Sequence, residues 1–351
     1  MKGSIRLVKV FGITISIHVT FFLLFLLVLP SGIRLVFLVI GIFFFVTIHE
    51  LCHSLMARYF GIKVSDITLL PIGGVSSMSK MPERPLHELL ISLAGPLSNI
   101  AILIIFFFPM KSLLGEEVLF HSPSAQTWPL TFAYVYWINL VLAGFNLLPA
   151  FPMDGGRVLR ALLALKIGYQ KATRVAVGLG HIFALAFAYF GIVKFNIILI
   201  FIAIFIYMAA SGEEMQVNVN EVLKKYRVRN ILPHDFYTVK GSASMTKVLE
   251  LIFHSHQEDF PVVDDDNLTG FITRQDIMIA VHRFGMNAVV KDVMRKTFPK
   301  VKDSEMLIKV QSIMQENNAR SLPVMRDNKV IGVITLEDIG RVYAMVSRNH
   351  W

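Results

Sequence analysis

The sequence is poor in charge and almost without cysteine. Asp, Glu, Lys and Arg make up 17% of its 351 residues, against about 25% in a soluble domain. The single cysteine, Cys52, cannot form an internal disulfide, which excludes a disulfide-stapled scaffold. A hydrophobic fraction of 54% excludes a disordered chain, and 22 glycines are too few for a collagen-like one. A basic stripe with base-reading residues, the footprint of nucleic-acid binding, is also lacking. No nucleic-acid partner is expected, and the net charge of +9 needs another origin.

That origin lies in residues 1–212. They hold fifteen Lys and Arg against seven Asp and Glu, a net of +8, which leaves +1 for the rest. Apolar runs near 11–30, 33–56, 86–109, 128–149, 174–193 and 195–211 come close to the roughly 20 residues that cross a bilayer. The first run is long for a signal-peptide core, and no small-residue cleavage site follows it. With the N-terminus in the cytoplasm, twelve of the fifteen basic residues fall on inner loops and only Arg34, Lys111 and Lys194 on outer ones. This is the positive-inside bias. The expectation is a polytopic α-helical membrane domain of about six transmembrane helices over 1–212. It would sit in the lipid bilayer of the cell membrane, with both termini and residues 213–351 cytoplasmic.

The last 140 or so residues contain a tandem repeat. Phe260-Pro-Val-Val and Leu322-Pro-Val-Met open two stretches in which Pro261/Pro323, Gly270/Gly332, Thr273/Thr335 and Asp276/Asp338 align at a constant offset of 62. Each repeat, about 228–284 and 290–346, reads strand, polar turn, strand, then a helix that starts after Thr-x-x-Asp. The Thr or Asp is suited to cap that helix. The pattern resembles a pair of CBS domains, an α/β fold. The resemblance implies adenine nucleotide (ATP or AMP) in the clefts, with Thr273, Asp276, Thr335 and Asp338 near the ribose. It also implies a homodimer through the pair. Helix capping alone explains the same four residues equally well.

In the membrane half, His49-Glu50-Leu51-Cys52-His53 ends a long apolar run. Residues i and i+4 share a helix face, so both imidazoles can reach one zinc ion. Glu50, beside that face, can act as general base on a water there. Ionisable groups within a membrane span are costly and usually functional, which weighs against two merely buried histidines. A catalytic zinc usually takes three protein ligands. Glu83 and Glu88 sit in a loop and at a helix start, and Glu116 and Glu117 fall on the outer side. Asp154 remains, in a segment broken by Pro149, Pro152 and Gly155-Gly156. Non-helical backbone at membrane depth lines a cavity or is buried in protein, which puts Asp154 at the cytoplasmic end near His53.

His-Glu-Leu-Cys-His together with Asn146-x-x-Pro-x-x-x-x-Asp154-Gly resembles the site-2 protease family of intramembrane zinc metalloproteases. The resemblance covers residues 1–212, and a CBS pair follows this domain in some members. It implies zinc on His49, His53 and Asp154, and Glu50 as general base. Asn146 would hydrogen-bond the substrate carbonyl or oxyanion, and the substrate would be a transmembrane helix of another protein. Leu69 to Val75 reads as a turn or short strand that could pair with an unwound substrate. Ala94-Gly-Pro-Leu-Ser-Asn99 resembles a further family motif, though close packing by small residues accounts for it too. The rival reading is a membrane transporter or channel regulated by the CBS pair. Such a protein needs ligands but no glutamate inside HExxH.

Overall fold

The computed structural model describes residues 3–71, 73–78, 84–233, 235–255 and 257–348. The chain divides into two compact units, Met1–Val217 and Asn218–Trp351.

The first unit opens with strands β1 (Ser4–Val10) and β2 (Ile13–His18), followed by α1 (Phe21–Val28) and α2 (Ile33–Tyr59). Strands β3 (Val64–Leu70) and β4 (Gly73–Met78) come next. Five more helices follow at α3 (Pro85–Leu114), α4 (Glu116–Leu119), α5 (Trp128–Asn146), α6 (Asp154–Ile167) and α7 (Tyr169–Val193). The last is α8 (Ile197–Leu223). Five helices among the described residues, α2, α3, α5, α7 and α8, are long and apolar enough to cross a bilayer.

The expected span at 11–30 is therefore corrected: it is not one transmembrane helix. Ile13, Ile15 and Ile17 alternate with Thr14, Ser16 and His18, a period of two that builds a strand rather than a helix. What remains is an eight-residue helix of about 12 Å, too short to span. The four strands form one sheet in the order β1-β2-β3-β4, with β2 parallel to β3 and the other pairs antiparallel. Residues before α1 and after α2 thus share a sheet, so the chain returns through α2 to the face it left. Ile13 and Ile67 of that sheet are buried in one cluster with Ala57 and Ile91 of the helices. Gly61, in the left-handed region at φ +78°, ends α2, as Ile62 N–H donates to Ala57 O at 3.0 Å.

The second unit has α9 (Met245–His254), β5 (Phe260–Asp264), β6 (Asn267–Ile272), α10 (Arg274–Phe284) and α11 (Val290–Val293). It continues with β7 (Val301–Lys302), α12 (Leu307–Glu316), β8 (Ser321–Arg326), β9 (Lys329–Thr335) and α13 (Leu336–Arg348). Each repeat lends its leading segment to the other. Val228 lies in a core with Val301, Leu307 and Val324, while Val290 lies in the core of Phe260, Val262 and Ile277. Backbone bonds fix the exchange: Val228 N–H donates to Glu305 O at 3.0 Å and Val290 N–H to Ala243 O at 2.9 Å.

Candidate metal centre

Three elements converge on one point. Helix α2 presents His49 and His53 one turn apart, 5% and 6% exposed. After α5 the chain breaks at Pro149 and Pro152 and restarts as α6 at Asp154, whose Oδ2 lies 3.1 Å from His49 Nε2 and 3.0 Å from His53 Nε2. The two Nε2 atoms are 3.0 Å apart. Among the described residues, this is the group of His, Cys, Asp or Glu able to share a metal ion.

Helix α3 sets the protons. His53 Nδ1 faces the Ile91 carbonyl at 2.6 Å, and His49 Nδ1 faces Asn99 Oδ1 at 3.0 Å, with Asn99 fully buried. Each acceptor holds the ring proton on Nδ1, which leaves both Nε2 lone pairs pointing at the Asp154 oxygen. Three electron-rich atoms at such spacing repel one another unless a cation stands among them. Ligands of a tetrahedral zinc, at about 2.0–2.1 Å, are spaced only slightly wider. Gly95 completes the cradle. A Cβ there would lie 2.3 Å from His53 Nε2 and 2.6 Å from His49 Nε2, so a bare Cα forms the wall beside the ligating nitrogens. Two imidazoles and one carboxylate fit zinc.

Glu50 is half-buried and leans toward the sheet: a Cβ on Gly74, at the start of β4, would meet Glu50 Cγ at 2.6 Å. Edge strand β4 thus runs beside the general-base candidate. The segment at Leu69–Val75 is a β-hairpin, with Leu70 paired to Gly73; Ile72 lies outside the described residues. Asn146 is the last residue of α5. Its Nδ2 donates to Leu142 O of its own helix at 2.9 Å. The roles of Asn99, Gly95 and the Ile91 carbonyl go beyond what the sequence showed. A lone amide inside the apolar run 86–109 was the available signal for Asn99.

In the second unit the four nucleotide candidates form two capping boxes. Thr273 Oγ1 donates to Asp276 Oδ2 at 2.6 Å and accepts from Asp276 N–H at 3.3 Å. Thr335 Oγ1 does the same with Asp338, at 2.7 and 3.1 Å. Arg295 forks onto both oxygens of Asp276, at 2.8 and 3.0 Å. Burial raises the Asp276 carboxyl pKa, but Arg295 and Thr273 outweigh it and hold the group below the usual carboxylate range.

Comparison with known proteins places these features. The profile of peptidase family M50 matches residues 37–124 and 108–187, and the CBS domain profile matches 228–283 and 290–344. A zinc metalloprotease of Methanocaldococcus jannaschii is 34% identical over 352 residues, covering 99% of this chain and 98% of the relative. A solved site-2 protease from the same organism is 41% identical, covers 60% of this chain and 95% of its own, and superposes with a TM-score of 0.47.

Proposed function

Since this chain belongs to peptidase family M50, as a site-2 protease-like zinc metalloprotease with a tandem CBS module, we propose that it hydrolyses peptide bonds inside transmembrane segments of other proteins. The observation that carries the reading is the meeting of His49 Nε2, His53 Nε2 and Asp154 Oδ2 within 3.1 Å on a buried stretch of α2. His53 lies six residues before the end of α2, about 9 Å along the axis. Water therefore has a short path from that end. Zinc, when bound, polarises a peptide carbonyl and makes water more acidic. Glu50 accepts the proton of the attacking water and passes it to the leaving amine. Asn146 turns its amide from Leu142 O to the carbonyl oxygen of the substrate.

A helical peptide bond is shielded by its own backbone, so the substrate must unwind. The edge strand β4 offers it backbone partners beside Glu50, by strand addition. Both termini face the cytoplasm in this reading: the bias of basic residues marks that side, and the shared sheet followed by α3, α5, α7 and α8 as four crossings supports one side for both. A transporter is not favoured by the matches, and it leaves Glu50 without a task.

The test is cleavage of a transmembrane helix by the chain in lipid vesicles. Product is expected to vanish with chelator and return with zinc. Asn146→Leu is expected to lower kcat about 10²–10³-fold with zinc content unchanged. Cleavage that survives full removal of metal would refute the assignment.

The CBS pair is proposed to bind an adenine nucleotide and thereby control access to the site. Its support is the paired Thr and Asp at equivalent helix starts. Calorimetric titration of the full chain with ATP or AMP is expected to show binding, weakened about tenfold by Thr335→Val. Neither heat nor a rise in melting temperature with either nucleotide would refute it.

A further inference from the structure

Arg160 is among the largest fully buried side chains in the molecule, 1% exposed. Its Nε donates to Glu88 Oε1 at 2.8 Å, Nη2 donates to the same oxygen, and Nη1 donates to Glu213 Oε2 at 3.2 Å. Its guanidinium lies between two rings, 4.6 Å from the centroid of Phe151 and 4.7 Å from that of Tyr169. Arg157, one turn earlier on α6, donates to the other Glu213 oxygen at 3.1 Å. Buried ion pairs add little to stability compared with apolar residues of similar volume. A buried Arg160–Glu88 pair, extended by the half-buried Glu213, calls for another role in a membrane domain.

Their positions indicate one. Helix α6 has only 14 residues and follows an irregular segment, so its first residue, Asp154, is not set by the preceding helix. Arg160 lies six residues on from Asp154 on this helix, and it clasps Glu88 of α3. Glu88 in turn precedes Ile91, Gly95 and Asn99 on α3, the residues that orient and enclose the two imidazoles. Phe151, stacked on the same guanidinium, belongs to the segment leading into Asp154. One side chain thus ties the helix of the third ligand, its approach and the helix behind the histidines together. A slide of α6 by 1 Å would break the 3.0 and 3.1 Å contacts of Asp154 Oδ2.

We propose that Glu88, Arg160 and Glu213 are positioning residues that hold Asp154 in register with His49 and His53, so that the metal site is preformed. This rests on reading those three as a metal centre, and the experiment separates the two claims. Full-length Arg160→Lys keeps the charge and loses the fork; Glu213→Gln keeps the shape at the cluster's more open edge. Each is stripped of metal, melted, then titrated with Co²⁺ while its visible absorption is followed. The expected result is Co²⁺ binding at least about tenfold weaker than in the parent, the range seen for lost outer-sphere partners. The metal-free melting temperature should be unchanged in Glu213→Gln, even if Arg160→Lys folds poorly. Parental affinity and spectrum in both variants would overturn the proposal. So would an affinity loss that merely follows the loss of metal-free stability. A parent chain that binds no Co²⁺ would overturn the metal reading itself, and this proposal with it.

Discussion

Glu50→Gln is expected to slow peptide cleavage by about 10²–10⁴-fold, the usual worth of a general base, while one zinc per chain remains. The amide keeps the shape and polarity of the carboxylate but cannot take a proton from water. Glu50 is not one of the three converging ligand residues, so metal content should not change. Its side chain lies against Gly74 on the edge strand, where an added peptide would run. Metal analysis and cleavage of a transmembrane substrate by the same preparation check both halves. A Glu50→Gln variant that cuts at the parental rate removes Glu50 from the mechanism. Loss of zinc from the same variant makes Glu50 a ligand instead.

Gly95→Ala is expected to abolish metal binding and cleavage without unfolding the protein. The added methyl would stand 2.3 Å from His53 Nε2, 2.6 Å from His49 Nε2 and 2.7 Å from His49 Cε1. Neither ring can retreat cheaply, because Ile91 O and Asn99 Oδ1 hold both from behind. The methyl thus displaces the ion or the nitrogens that bind it. As alanine favours helix over glycine by about 0.8–1.0 kcal/mol, melting should be little lowered. Gly178→Ala, on α7 with nothing within 4 Å of the new Cβ, is the matched control. Full zinc occupancy in Gly95→Ala would show that the cradle is looser than these distances imply.

Much of this was legible in the residues. The i, i+4 histidines need only helix geometry to share a ligand, and Asp154 was isolated by the scarcity of acids in the first half. The five long helices followed from apolar length. The strand at Ile13–His18 is masked although it alternates strictly, because the apolar run continues without a break into α1 and length outweighs period. The exchange between the CBS repeats was hidden for a different reason. Sequence similarity marks which segments are equivalent, not which core each one fills, and Val228 and Val290 each fill the other repeat's core. Asn99 and Arg160 were invisible as partners because their contacts span 50 and 72 residues along the chain.

Helix α8 runs without interruption from Ile197 to Leu223, and Leu223 is already part of the second unit's core. Glu213 and Glu214, on that same rod, reach back to Arg157, Arg160 and Arg174. A protease shortened at residue 212 would therefore lose more than its CBS pair. It would strand a buried guanidinium with one carboxylate fewer, and any fall in turnover would say nothing about signalling. The two halves can be studied apart only if the cut falls beyond these glutamates.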